Sequence, residues 1–107
     1  MTARSVTVVN QLGMHARAAA KFVHLAAKFR SHVRVARDAR EMDGKSIMGL
    51  LLLAASQGTS ITIAADGADA ADAIAALCDL VKRGFDEAPG DQAPDGALGS
   101  GEGESCA

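Results

Sequence analysis

Gly13-Met14-His15-Ala16-Arg17 stands where a strand-like run gives way to a helical pattern, and the fold is read outward from it. Upstream, Val6-Thr7-Val8-Val9 belongs to a segment, Ser5 to Asn10, in which Val6 and Val8 alternate with Ser5 and Thr7. That period of two marks a half-buried strand. Downstream, Ala16 to Phe29 reads as an amphipathic helix. Ala18, Phe22, Leu25 and Phe29 make its apolar stripe, and Arg17, Lys21, His24 and Lys28 make its wet face. Gln11 to Met14 is the connecting loop.

The first amides of such a helix have no partner within it and carry partial positive charge, so the junction suits an anion. A histidine there is a nucleophile near neutral pH, and the Arg17 guanidinium can fork onto phosphate oxygens. Two independent features would therefore stabilise a phosphoryl group carried on His15.

Further along, His32 to Arg37 alternates again, with Val33 and Val35 inward. A short third strand near Arg40-Glu41-Met42 leads into an Asp43-Gly44 turn. Ser46 is a good N-cap for a second helix, Ile47 to about Ala55, stopped near Gln57-Gly58. Thr59 to Ala65 reads as the fourth strand, with Ile61 and Ile63 inward. After Asp66-Gly67 comes a third helix with the core stripe Ala70, Ile74, Leu77 and Val81. Its acids, Asp69 and Asp72, fall in the first turn and Lys82 and Arg83 in the last, which complements the helix dipole. Gly84 is placed for a left-handed cap. The order β-α-β-β-α-β-α predicts an α+β fold, an open-faced β-sandwich. In it a four-stranded antiparallel sheet is covered on one face by three helices.

Residues 1–87 are expected to form this single domain. Residues 88–107 hold five glycines, Pro89, Pro94 and four acids, with Leu98 the only large apolar side chain. Such a stretch cannot offset its ordering entropy by burial and is expected to be a disordered acidic tail. The 107-residue chain is 49% hydrophobic with only three aromatics, all Phe, so the domain core must be aliphatic.

The longest apolar run, Ile47 to Ala55, is far short of the roughly 20 residues a membrane span needs. Met1-Thr2-Ala3-Arg4-Ser5 leads into a strand and not into an apolar leader. Cys78 and Cys106 suggest no disulfide framework. The expected location is cytoplasmic and the expected state a monomer. Three histidines without a CxxC or HExxH pattern point to no metal site and no cofactor.

The net charge of −2 hides an asymmetry: residues 1–45 carry nine Lys/Arg against three acids. A basic half containing His15 favours an acidic protein surface as partner. With few aromatics and a pI near 5.8, nucleic-acid binding is not expected.

At this point the chain resembles the HPr family, the histidine-containing phosphocarriers of the bacterial phosphoenolpyruvate-dependent phosphotransferase system. Two separated motifs carry the resemblance. Leu12-Gly13-Met14-His15-Ala16-Arg17-Ala18-Ala19 is similar to the family's G-[LM]-H-[AT]-R-P-A signature, and Gly44-Lys45-Ser46-Ile47-Met48-Gly49 looks like its regulatory serine site. The resemblance covers about residues 1–87. One departure stands out: Ala18 occupies the position where the family usually has proline. The Leu12-Gly13-Met14-His15 wording and the Gly84-Phe85-Asp86-Glu87 ending lean toward the nitrogen-related branch, NPr, whereas Ser46-Ile47-Met48-Gly49 resembles kinase-regulated HPr.

The resemblance implies a stoichiometric carrier and not an enzyme. Phosphorylated enzyme I would load Nδ1 of His15, Arg17 and the first helix amides would hold the phosphate, and an enzyme II-type acceptor (IIA) would receive it. It also implies regulatory phosphorylation of Ser46 by an HPr kinase/phosphorylase. Ala20, Lys21 and His24 on the first helix, and Ile47, Met48 and Leu51 on the second, would contact partner proteins. The alternative is a regulatory binding module, NPr-like or Ser46-controlled, in which His15 transfer is weak or absent.

Overall fold

The computed structural model describes residues 1–86; the tail, 88–107, and its expected disorder lie outside the described residues. Seven elements follow in order: β1 (Thr2–Thr7), α1 (Ala16–Ala26), β2 (His32–Arg37), β3 (Arg40–Asp43), α2 (Ile47–Leu53), β4 (Ser60–Asp66) and α3 (Ala70–Lys82). The order and the α+β class are those expected from the sequence. The strands form one antiparallel sheet in the order β1-β4-β2-β3. The central pair, β4 and β2, sets Ile63 opposite Val35 and Ala65 opposite Val33.

Alternation explains the layering. Val6, Val33, Val35, Ile61, Ile63 and Ala65 are buried under the helices, while Ser5, Arg34 and Ser60, one residue out of phase, are exposed. α3 packs on β1 and β4, α2 on β2 and β3, and α1 lies against both helices. The core is aliphatic apart from Phe22 and Phe85, both fully buried. At about 2 kcal/mol for each large side chain taken out of water, this layer supplies the main drive for folding. Along α3, Ala70, Ile74, Leu77 and Val81 are buried as the spacing predicts, joined by Ala73, Cys78 and Leu80. Burial pushes the Cys78 thiol up from its ordinary value, which leaves it a packing residue.

Several boundaries differ, each for a local reason. β1 starts earlier and ends at Thr7. Val8 nevertheless stays buried and exchanges backbone bonds with Thr59 and Gly58. α1 ends at Ala26, short of Phe29, because Lys28 and Phe29 donate three residues back, to Leu25 and Ala26, and tighten the last turn. Leu25 and Phe29 are consequently half-buried at the edge of the core. α2 ends at Leu53, since Ala54 takes the left-handed conformation (φ 54°) before the chain reaches Gln57-Gly58.

Candidate phosphoryl-accepting site

The loop before α1 is built by backbone accounting. Asn10, buried at the end of the β1 segment, donates from Nδ2 to the Gly13 carbonyl (2.8 Å), and the Gly13 amide donates to the Asn10 carbonyl (3.1 Å). The Met14 amide reaches the Ala55 carbonyl (2.8 Å), which ties the loop to the exit of α2. Gly13 has φ +66°, and a Cβ there would lie 2.5 Å from the Ala55 oxygen. Only glycine fits. Met14 is buried in the core, so His15 is anchored by the residue before it.

His15 is the N-cap of α1. Its backbone is extended (φ −81°, ψ 178°), and its Nδ1 accepts from the Arg17 amide at 3.3 Å. The helical ladder begins with the Ala19 amide donating to the His15 carbonyl (2.8 Å). Nδ1 therefore presents its lone pair to the helix N-terminus, with the ring proton on Nε2 in the neutral imidazole. The amides of residues 16–18 precede the ladder and face the same end. Ala18 retains an N–H that a proline would delete. The ring is partly exposed and Arg17 is exposed, so the site opens to solvent.

Ser46 caps α2: its Oγ accepts from the Gly49 amide at 3.1 Å. Lys45, next to this cap, is positioned by its amide, bonded to the Asp43 carboxylate (2.9 Å), and by its Nζ, bonded to the Phe29 carbonyl (2.8 Å). Beyond the cap, Ile47 and Met48 are exposed, Met48 at 66%. Leu51, expected in the docking patch, is half-buried and packs against the core. Leu52 takes the outer position at 55% exposure. A seven-residue helix with four consecutive leucines, Leu50 to Leu53, gives no sequence cue for which of them faces out.

On α1, Ala20 and Lys21 are half-buried and His24 is exposed. Lys21 uses its Nζ to donate to the Phe85 carbonyl at 2.8 Å. The basic half of the chain is thus partly engaged in structure. Arg37 donates to the Leu53 and Ala54 carbonyls (2.9 and 2.8 Å) and Arg40 to Leu52 (3.1 Å), capping the C-terminus of α2, and Arg34 pairs with Glu41 at 3.4 Å. Sequence reasoning missed the Asn10 clamp and the Arg37 cap, although an Asn ending a strand before a Gly loop is a recognisable cue. No helix among the described residues is long and apolar enough to cross a membrane, and no cluster of three or more metal-ligating side chains occurs among them.

The sequence profile described as "PTS HPr component phosphorylation site" matches residues 2–83. Phosphocarrier protein HPr of Neisseria meningitidis serogroup A is 47% identical over 87 residues, covering 81% of this chain and 98% of that protein. Phosphocarrier protein NPr of Shewanella violacea is 41% identical over 85 residues, 79% of this chain and 93% of that one. The crystal structure of an HPr from Thermoanaerobacter tengcongensis superposes with a TM-score of 0.79 at 41% identity, covering 82% of this chain and 99% of that one. With two motifs, the fold and nearly the full length of its relatives in agreement, the chain belongs to the HPr family of phosphotransferase-system phosphocarriers.

Proposed function

We propose that the chain accepts a phosphoryl group on His15 Nδ1 from phosphorylated enzyme I and passes it to a IIA-type acceptor. The observation that carries this reading is the Nδ1 lone pair held toward the N-terminus of α1 by the Arg17 amide. In the loading step the new N–P bond forms at Nδ1 as the donor's N–P bond breaks, and the donor histidine leaves with that electron pair. The proton on Nε2 stays in place, so loading yields a cationic ring bearing a phosphate dianion. The amides of residues 16–18 and the Arg17 guanidinium are the proposed donors to the transferred oxygens. Positioning and charge stabilisation are most of what phosphoryl transfer asks of a protein. An open site holds the group loosely enough to release it, so the protein acts as a carrier consumed one for one and not as an enzyme.

Ser46 is the proposed regulatory site for an HPr kinase. A phosphate there sits at a helix N-terminus, where its roughly −2 charge is tolerated by the fold but opposes an acidic partner. Ala20, Lys21, His24, Ile47, Met48 and Leu51 are the proposed partner-contacting residues, with Leu52 exposed beside them on α2. The proposed working location is the cytoplasm, as a monomer. The test is phosphoenolpyruvate-dependent labelling in the presence of enzyme I: the reading requires a single acid-labile phosphoryl group that disappears in His15→Ala.

A further inference from the structure

Two polar residues are buried among the described ones, Ser31 and Asn10. Ser31 is bonded to Asp69 beyond the C-terminal end of α1, far from His15. Asn10 lies beside the phosphoryl site. A buried side-chain amide needs partners, and Asn10 Nδ2 donates to the Gly13 carbonyl at 2.8 Å. That same carbonyl accepts the His15 amide at 2.9 Å. A carbonyl oxygen has two lone pairs and can only accept, so Gly13 joins the two donors, and the nitrogen of the Asn10 amide, not its oxygen, must face it.

Both ends of this link are fixed. Ahead of Asn10, Val8 exchanges backbone bonds with Gly58 and Thr59, and Gln57 Nε2 donates to the Val9 carbonyl at 3.0 Å. The turn that ends α3 lies against it, since a Cβ on Gly84 would stand 3.6 Å from the Asn10 Cβ. At the other end, the His15 amide closes a three-residue turn onto Gly13 across Met14, which is anchored in the core. The His15 backbone in turn decides where the imidazole stands, because Nδ1 meets the Arg17 amide from the N-cap conformation.

We propose that Asn10 is a positioning residue for phosphoryl transfer. By holding the Gly13 carbonyl it fixes the His15 amide, and so keeps the Nδ1 lone pair aimed where the phosphoryl group arrives. The consequence for transfer rests on the carrier reading; the consequence for the ring does not. Asn10 is 2% exposed, so its contribution belongs to the rate within the complex and not to docking.

Asn10→Ala removes the donor, and Asn10→Asp keeps the shape but sets an acceptor oxygen against the Gly13 carbonyl. The first readout needs no partner protein: ring-nitrogen NMR of the neutral His15 imidazole. In the parent, Nδ1 is expected as the unprotonated nitrogen and Nε2 as the protonated one. In both variants the two resonances are expected to converge as the tautomers mix, and the Arg17 amide to shift, while the rings of His24 and His32 stay as in the parent.

The second readout is single-turnover loading by phosphorylated enzyme I. The saturating rate is expected to fall by about 10- to 100-fold, the cost of a slightly misplaced reacting group, with the half-saturating concentration unchanged. Asp69→Asn, which loosens the fold beyond the other end of α1, is expected to leave both readouts at parental values. Unaltered His15 resonances in folded variants overturn the proposal, as does a loss confined to half-saturation or an equal loss in Asp69→Asn. The parent tests it as well, without any substitution. One Asn10 side-chain proton is expected to exchange with solvent more slowly than the other, and equal exchange removes the bond on which the proposal stands. A parent that enzyme I fails to load contradicts the carrier reading, and the ring resonances then decide the positioning role alone.

Discussion

Arg37 donates from one Nη1 atom to the Leu53 carbonyl at 2.9 Å and to the neighbouring Ala54 carbonyl at 2.8 Å, so a side chain of the sheet closes the helix that Ser46 opens. The last carbonyls of a seven-residue helix have little else to satisfy them, and a cation is favoured there by the dipole. Arg37→Ala removes both bonds and leaves these groups to water. A loss of about 1.5 kcal/mol is expected, read as a fall of roughly 6–12 °C in Tm for a domain of this size. His15 phosphorylation at room temperature should be unchanged.

Ser46 combines a structural role with a proposed regulatory one, and two substitutions separate them. Ser46→Ala loses the bond from the Gly49 amide and should cost about 1 kcal/mol in urea unfolding. Ser46→Asp keeps an oxygen at the cap and adds a charge that the helix N-terminus favours. Its stability should match the parent, while loading by enzyme I slows at low salt and recovers as salt is raised.

Asp69 carries the clearest acid sensitivity. It is the N-cap residue of α3, yet its carboxylate makes no cap bond. It accepts instead from the Ser31 hydroxyl and from the Arg30 (2.8 Å) and Ser31 (2.9 Å) amides. The Ser31 hydroxyl first, then the Arg30 amide, hold its carboxyl below the ordinary 3.8. A carboxylate with a lowered folded value contributes stability that is present above the unfolded value and lost as pH falls through the folded one. Stability should therefore decline below about pH 4, and Asp69→Asn should flatten that decline in pH-dependent thermal melts. The remaining slope belongs in part to Asp86, lowered by Arg83.

Arg17 is expected to act through its guanidinium, not only its amide. Arg17→Lys keeps the charge and loses the planar fork, and Arg17→Ala loses both. Single-turnover loading by enzyme I should slow by about 10²-fold for Arg17→Ala and by less for Arg17→Lys, with the fold intact by circular dichroism in both.

The fold was legible because its elements obey simple periods. Val33 and Val35, and Ile61 and Ile63, fall inward on alternation alone, and Ala70, Ile74, Leu77 and Val81 on helical spacing. The junction of strand and helix around His15 was legible because a helix N-terminus and a left-handed turn at Gly13 are local effects. What escaped was set by distant partners. The Lys21–Phe85 bond spans 64 residues and the Arg37 cap 16 or 17, and the first turns a cation of the wet face of α1 into a structural one. The exposure of Leu52 escaped for a related reason. In a leucine run the outward residue is chosen by what α2 packs on, and periodicity carries no record of that.

The most direct measurement is intact-protein mass spectrometry after incubation with phosphoenolpyruvate and enzyme I at neutral to alkaline pH. A gain of one phosphoryl group is expected, lost on mild acid treatment and absent in His15→Ala. No gain with an enzyme I that loads another HPr, or a gain that persists in His15→Ala, would contradict phosphoryl carriage on His15.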